Sequence, residues 1–285
     1  MTRAACVAGA LTMLVVAVET APQQPVFRTR TSAVRVDVLV TERGHPVKGL
    51  TAVDFDVRDN GVRQDVDFLL LENVPVSLAV VLDVSGSVAG ERLDHFRKAI
   101  DRTIEDLTGD DRVALVTFSH ELTMLFPAAV DRERLRTQLN GIRGSGGTSL
   151  LDAAYAGLVM SAGDEERGLM LIFSDGRDTS SWLSPARVLE TAKRSQAVSY
   201  AVSPAGSRNR FLSDLVTLTG GSLLEVDSTT DLGNTFAGIL DEFRQRYLLS
   251  YRPQGVAASG WHRIDVTVRR PGATVKARTG YVSAQ

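Results

Sequence analysis

Cysteine is almost absent from this sequence: Cys6 is the only one in 285 residues. No intrachain disulfide can form, so stability has to come from a packed core rather than covalent staples. Charge of one sign is nowhere concentrated. The 32 basic and 34 acidic residues leave a net charge of -2, with no block of like charge. A nucleic-acid-binding surface would need such a basic footprint, so that partner class is excluded. Aromatic residues are few, at 6%, and no apolar run reaches the ~20 residues of a membrane-spanning helix. Neither a collagen-like nor a heptad period occurs. What remains is 44% hydrophobic and 23% charged, enough apolar material for one large or two modest domains.

At the N-terminus, Arg3 precedes the apolar run Ala4–Val18, and the small residue Ala21 precedes Pro22. A basic start, a short apolar middle and a small residue are the pattern of a secretory signal peptide. Glu19 stands where a small residue is preferred, which leaves the cleavage position loosely defined. Residues 1–21 are expected to be the signal peptide and 22–32 a polar leader. The mature chain is then extracytoplasmic (periplasmic, cell-surface or secreted), without a stable membrane span. Cys6 lies before the apolar run, so a lipoprotein cleavage box does not fit.

Three textures follow. Val34, Val36, Val38 and Val40 alternate with Arg35, Asp37 and Thr41, which predicts a half-buried strand. Phe55 and Val57 lead to Asn60-Gly61, a strong hairpin signal, and Val62, Gln64, Val66, Phe68 and Leu70 read as one return strand. From Val76 the pattern changes. Val76–Leu82 is apolar apart from Ser77, as a strand covered on both faces would be. Strands and amphipathic helices then alternate as far as Arg246, which predicts a mostly parallel, doubly wound α/β sheet. Ser184 is a plausible N-cap of the helix from Pro185. After Tyr247 the texture returns to β, in three runs ending with Val275, Ala277, Thr279 and Tyr281. The expected organisation is an α/β domain over 75–246, inserted between β segments 33–74 and 247–285 that together form one β-sandwich domain.

The chemistry sits where the α/β strands end. Val76–Leu82 runs into Asp83-Val84-Ser85-Gly86-Ser87, a D-x-S-x-S motif. Gly144-Ser145-Gly146-Gly147-Thr148 precedes a helix, and Gly168–Phe173 runs into Ser174-Asp175-Gly176. Ligands bind at the carboxyl edge of such sheets, so Asp83, Ser85, Ser87, Thr148 and Asp175 are expected to converge there. These donors are all oxygen, with two carboxylates to balance a divalent charge. Mg²⁺ suits them, with Mn²⁺ as an alternative, and the absence of sulfur and imidazole disfavours zinc or copper. Each piece also has a plainer reading. Ser85, Ser87 or Thr148 could cap the following helix, and Ser174-Asp175-Gly176 could be a simple turn. Asp152, near a helix start, reads as a cap or salt bridge, and Asp178 lies outside the pattern.

These residues resemble the metal-ion-dependent adhesion site of a von Willebrand factor type A (VWFA) domain. The resemblance covers about residues 75–246, with a counterpart for every element of the motif. It implies that both serines and the threonine contact the metal, and that the aspartates bind it directly or through water. It also implies that an Asp or Glu of a partner protein fills the last position. The flanks, including Pro46-Val47-Lys48-Gly49-Leu50 and Arg278-Thr279-Gly280-Tyr281, resemble a VWFA-related family common in acidobacteria.

Enzymatic motifs fail on inspection. Gly141–Thr148 has the glycine spacing of a phosphate-binding loop, but Gly147 replaces the required lysine. Gly86-Ser87-Val88-Ala89-Gly90 is not a nucleophile elbow. Of the histidines His45, His95, His120 and His262, only His120 falls near the ligand edge, and a surface position accounts for it. A metal-activated water needs a placed general base, and none is evident. The expected function is an exported, non-catalytic, adhesion-type binding module. The alternatives are a structural or assembly subunit of a cell-envelope complex and, less favoured, a metal-dependent hydrolase.

Overall fold

The structure, a computed structural model, describes residues 33–70, 74–86, 90–125, 132–162, 166–207 and 209–283. The expected signal peptide (1–21) and leader (22–32) lie outside the described residues, as does Ser87. The N-terminal segment forms β1 (Val34–Glu42), β2 (His45–Pro46), β3 (Phe55–Asp59), β4 (Val62–Gln64) and β5 (Val66–Leu70). The middle begins with β6 (Val76–Asp83), α1 (Glu91–Glu105), β7 (Arg112–Phe118), β8 (Leu122–Leu125), α2 (Arg132–Gly141) and α3 (Leu150–Met160). It continues with β9 (Arg167–Phe173), α4 (Pro185–Arg194), β10 (Val198–Pro204), α5 (Arg210–Thr219), β11 (Leu223–Val226) and α6 (Leu232–Arg244). The C-terminal segment adds β12 (Tyr247–Tyr251), β13 (Gly260–Val268), β14 (Ala273–Lys276) and β15 (Gly280–Ser283).

The middle segment builds a six-stranded sheet in the order β11-β10-β9-β6-β7-β8, parallel except for β8 against β7. Every residue of β6 and β9 is buried, because helices cover both faces. Strand alternation sorts the side chains. Leu78, Val80 and Leu82 pack with Phe96 and Ile100 of α1 and Phe236 of α6. Val81, Met170 and Ile172 pack with α3, α4 and α5 on the other face. Each such aliphatic side chain stabilises the fold by roughly 1.5–3 kcal/mol. Helix α1 forms because Leu93, Phe96, Ile100 and Ile104 recur at helical spacing, and these are residues it buries. The chain leaves β6 toward β7 and returns on the other side as β9. The order therefore reverses at β6, and the crevice at the carboxyl ends of β6 and β9 is the topological switch point.

Two antiparallel sheets flank it: β14-β1-β12-β5, with β2 beside β1, and β15-β13-β3-β4. N- and C-terminal strands mix in both, with Val36 opposite Leu249 in one and Val57 opposite Val266 in the other. Their shared core includes Val36, Val38, Phe55, Tyr247 and Ile264. Asn60 (φ 46) and Gly61 (φ 83) supply the tight turn between β3 and β4.

Two runs that read as single strands are each divided between the sheets. The return strand breaks at Asp65: β4 pairs with β3, whereas β5 pairs with β12. Buried Gln64 holds the break by bonding both backbone groups of Gln254, at 2.8 and 3.0 Å. The last run breaks at 277–279: β14 pairs with β1 and β15 with β13. There the buried Arg278 turns aside and donates to Gly280 O at 2.7 Å and to Lys193 O at 3.1 Å. Burial pushes this guanidinium down to about 10, against the opposing charge of Asp37. No helix among the described residues is long and apolar enough to cross a membrane.

Candidate metal centre

Asp83 is the last residue of β6 and is fully buried. Its Oδ1 accepts from Ser85 N at 2.9 Å, and its Oδ2 accepts from Ser174 Oγ at 2.9 Å. Ser174 Oγ in turn accepts from Gly176 N at 3.0 Å, which shapes the loop carrying Asp175. Burial pushes the Asp83 carboxyl above its ordinary value; hydrogen bonds from Ser85 and Ser174 oppose that, and the charge of Asp175 adds to it. Asp175 is half-buried, and its Oδ1 accepts from Arg177 N at 3.0 Å.

The glycine-rich segment is laced to the other two loops. Ser145 N donates to Val84 O at 3.0 Å and Gly86 N to Gly146 O at 3.3 Å. Gly146 takes φ +79, and a Cβ there would collide with the His120 imidazole. The positive φ favours glycine. Thr148 is buried. Its N donates to Thr179 Oγ1 at 2.9 Å, and its carbonyl accepts from Thr179 N at 2.9 Å and Ser180 N at 3.1 Å. The loops bearing Asp83, Ser85, Thr148 and Asp175 thus meet at the switch point, and Ser87 lies outside the described residues.

The capping roles open to these hydroxyls are taken elsewhere. The N-cap position of α1 is Gly90, not Ser85. At α3 the N-cap residue is Ser149, without a side-chain bond. Instead Ser181 Oγ, from the loop after β9, accepts from Leu151 N at 3.0 Å and Asp152 N at 3.3 Å. Asp152 neither caps its own helix nor forms a salt bridge among the described residues. Its two oxygens accept from Trp182 N and Leu183 N, both at 2.9 Å. Ser184 occupies the N-cap position of α4 without the expected side-chain bond. The sequence reading missed Ser174 as the residue orienting Asp83. Its position was the available signal: a hydroxyl immediately after the run Gly168–Phe173, at the ligand edge.

The donor chemistry fits a hard cation. Among the described residues no cluster of three His, Cys, Asp or Glu side chains forms a metal site, so hydroxyl oxygens have to complete any shell around Asp83 and Asp175. Magnesium accepts such a mixture together with water. His120 lies against Gly146, its ring 3.4 Å from Ser119 Oγ and 3.8 Å from Glu121.

A doubly wound sheet with hydroxyl- and carboxylate-bearing loops at its switch point defines an open α/β domain. Residues 77–237 match the family model "von Willebrand factor type A domain"; this is more than half of the chain, and the chain belongs to that family. Human inter-alpha-trypsin inhibitor heavy chain H4 is 28% identical over 145 residues, covering 46% of this chain and 16% of that protein. The uncharacterized protein sll0103 of Synechocystis is 22% identical over 232 residues, 73% of this chain and 54% of that one. The chain therefore spans only a small part of the heavy chains it matches, 15–21% of their length. Among solved structures, a von Willebrand factor type A protein from Catenulispora acidiphila superposes with a TM-score of 0.54 at 12% identity, covering 81% of this chain and 74% of that one. Proximal thread matrix protein 1 of the mussel byssus, with a zinc-occupied metal-ion-dependent adhesion site, gives 0.52 at 14% identity, over 65% and 49%. These two likenesses establish the fold.

Proposed function

We propose that this chain is an exported, non-catalytic binding module that holds Mg²⁺ (or Mn²⁺) through Asp83, Ser85, Ser87, Thr148 and Asp175. The bound ion captures an Asp or Glu of a partner protein. What carries the reading is Asp83, a carboxylate with no solvent exposure, oriented by Ser174 and repelled by Asp175. A buried carboxylate beside a second one favours a counter-cation. When bound, the metal supplies an electrophilic corner for an incoming carboxylate. This chain's part is to orient Asp83, hold Thr148 between the two loops, and keep bulk water off β6. Residues 75–246 are the domain that bears the site, with 33–74 and 247–285 as its β-sandwich support. Residues 1–21 direct its export and are then removed.

Calorimetric titration of the full chain with Mg²⁺, Mn²⁺ and Zn²⁺ tests the metal. Zinc belongs in the series because the mussel protein carries it in a site of this type. One-site binding that Asp83→Ala abolishes is expected, together with a melting temperature raised by metal and lowered by EDTA. If EDTA and Asp83→Ala both leave melting unchanged, the reading fails.

A further inference from the structure

Among the large apolar side chains exposed on the described residues, Trp182 is extreme, at 97%. Its backbone is nevertheless fixed. Trp182 N and Leu183 N both donate to Asp152 in the first turn of α3, at 2.9 Å. Ser181 Oγ accepts from Leu151 N at 3.0 Å and donates to Asp178 Oδ1 at 2.5 Å. The indole is therefore presented to solvent from a braced loop. The backbone of this loop also passes close to the candidate centre. Ser180 N is 3.1 Å from Thr148 O, and the two residues on to Trp182 span at most ~7 Å. The Trp182 amide thus lies within roughly 10 Å of Thr148.

The surroundings have a consistent character. Tyr155 and Val159 of α3 are 42% and 53% exposed. With Asp152 they share one helix face, so the apolar path continues down α3 from the turn that holds Trp182. Arg177 and Arg187 flank the loop, both exposed, and neither guanidinium forms an ion pair among the described residues. Asp178, the acidic residue between them, is engaged by Ser181. Rigid aromatic rings dominate binding energies because they bury much area while losing few torsions.

Building on the metal-binding reading, we propose that Trp182 is the apolar anchor of the ligand face. Its occupant is an acidic peptide segment with an apolar side chain beside the carboxylate it offers to the metal site. The indole covers that apolar side chain, and Arg177 and Arg187 face further acidic residues of the segment.

The test uses the full chain, Mg²⁺ and three synthetic peptides: Asp flanked by glycine and serine, Asp followed by leucine, and the latter with Asn in place of Asp. Trp182 is read by acrylamide quenching in a Trp261→Phe background. The Asp-Leu peptide should bind about tenfold or more tightly than the glycine-flanked one and shield the indole from acrylamide. Trp182→Ala should erase that preference, Trp182→Phe should retain part of it, and both should melt like wild type. Equal affinities for the two Asp peptides, or a preference that survives Trp182→Ala, would overturn the anchor while leaving the metal reading intact. Absence of metal-dependent binding by every peptide overturns both. Concentration-dependent dimers abolished by Trp182→Ala would assign the ring to a second copy of the chain and also overturn the proposal.

Discussion

At the scale of single residues, Asp83 carries the largest consequence. Burial and the charge of Asp175 raise its pKa against the hydrogen bonds of Ser85 and Ser174. A carboxyl raised in the folded state contributes stability below the unfolded value of ~3.9 and loses it as pH climbs through the raised value. Above that raised value and without a cation, the ionised group therefore opposes folding. Asp83→Asn removes that charge yet keeps an atom able to hydrogen-bond at each position. In EDTA the variant should melt above wild type, by a margin that widens from pH 4 to pH 8, and Mg²⁺ should not stabilise it. Thermal melts across that pH range decide the matter, and a variant that melts lower than wild type in EDTA contradicts the argument. Asp83, Ser85, Ser87, Thr148 and Asp175, the proposed donors, are visible in the sequence because they fall in short motifs at strand and helix ends. It does not show Ser174 or Ser181 in their roles, since their partners lie 91 and 30 residues away. The position of Ser174 marks the ligand edge, but nothing local to a serine encodes its distant partner.

At the scale of elements, the sheet and its helices were legible because burial on two faces imposes distinct periods on strands and helices. The divided strands were not. Alternation reports which residues face inward, not which sheet a strand joins, so Val62–Leu70 reads as continuous although Gln64 anchors a change of sheet. Asp111 was equally silent in the sequence, yet it gathers three elements at the amino end of the sheet. It accepts from Val76 N at 2.7 Å at the start of β6, and from Thr108 N at 2.7 Å and Thr108 Oγ1 at 2.9 Å just after α1. Arg244 Nη2, at the end of α6, donates to it at 2.7 Å. Burial alone would raise its carboxyl, but these hydrogen bonds and the Arg244 charge outweigh that and lower it. The sign is thus opposite to that of Asp83. Stability from Asp111 is present above the unfolded value of ~3.9 and lost as pH falls through the lowered one. Asp111→Ala should cost roughly 2–4 kcal/mol at pH 7 and flatten the acid limb of the stability curve below about pH 4. Urea unfolding between pH 2.5 and 7 measures both effects; an acid limb as steep as wild type would show that other carboxylates govern it.

At the scale of the whole molecule, residues Ser32–Gln285 form one compact unit, and a charged pair helps to explain why. Asp37 lies on β1 opposite the valines of the sandwich core, on the face that alternation alone leaves polar. The structure buries it. Arg167 Nε, at the start of β9, donates to Asp37 Oδ1 at 2.7 Å, and its Nη2 donates to both Asp37 and Phe243 O, the latter at 3.2 Å. The guanidinium also lies 4.6 Å from the centroid of the Phe243 ring, near the end of α6. The two side chains are only 4% and 8% exposed. One arginine therefore joins the antiparallel strand β1, the α/β strand β9 and the last helix before β12. Removing one member of a buried pair leaves the other charge without compensation, whereas replacing both by apolar groups of similar size avoids that penalty. Asp37→Ala should destabilise the chain by about 3–5 kcal/mol, and Asp37→Leu combined with Arg167→Met should recover most of it. A double-mutant cycle by urea unfolding, with Asp37→Leu and Arg167→Met as its single-variant corners, isolates the coupling. Additive losses at the two positions would mean that this pair does not couple the flanking sheet to the α/β sheet.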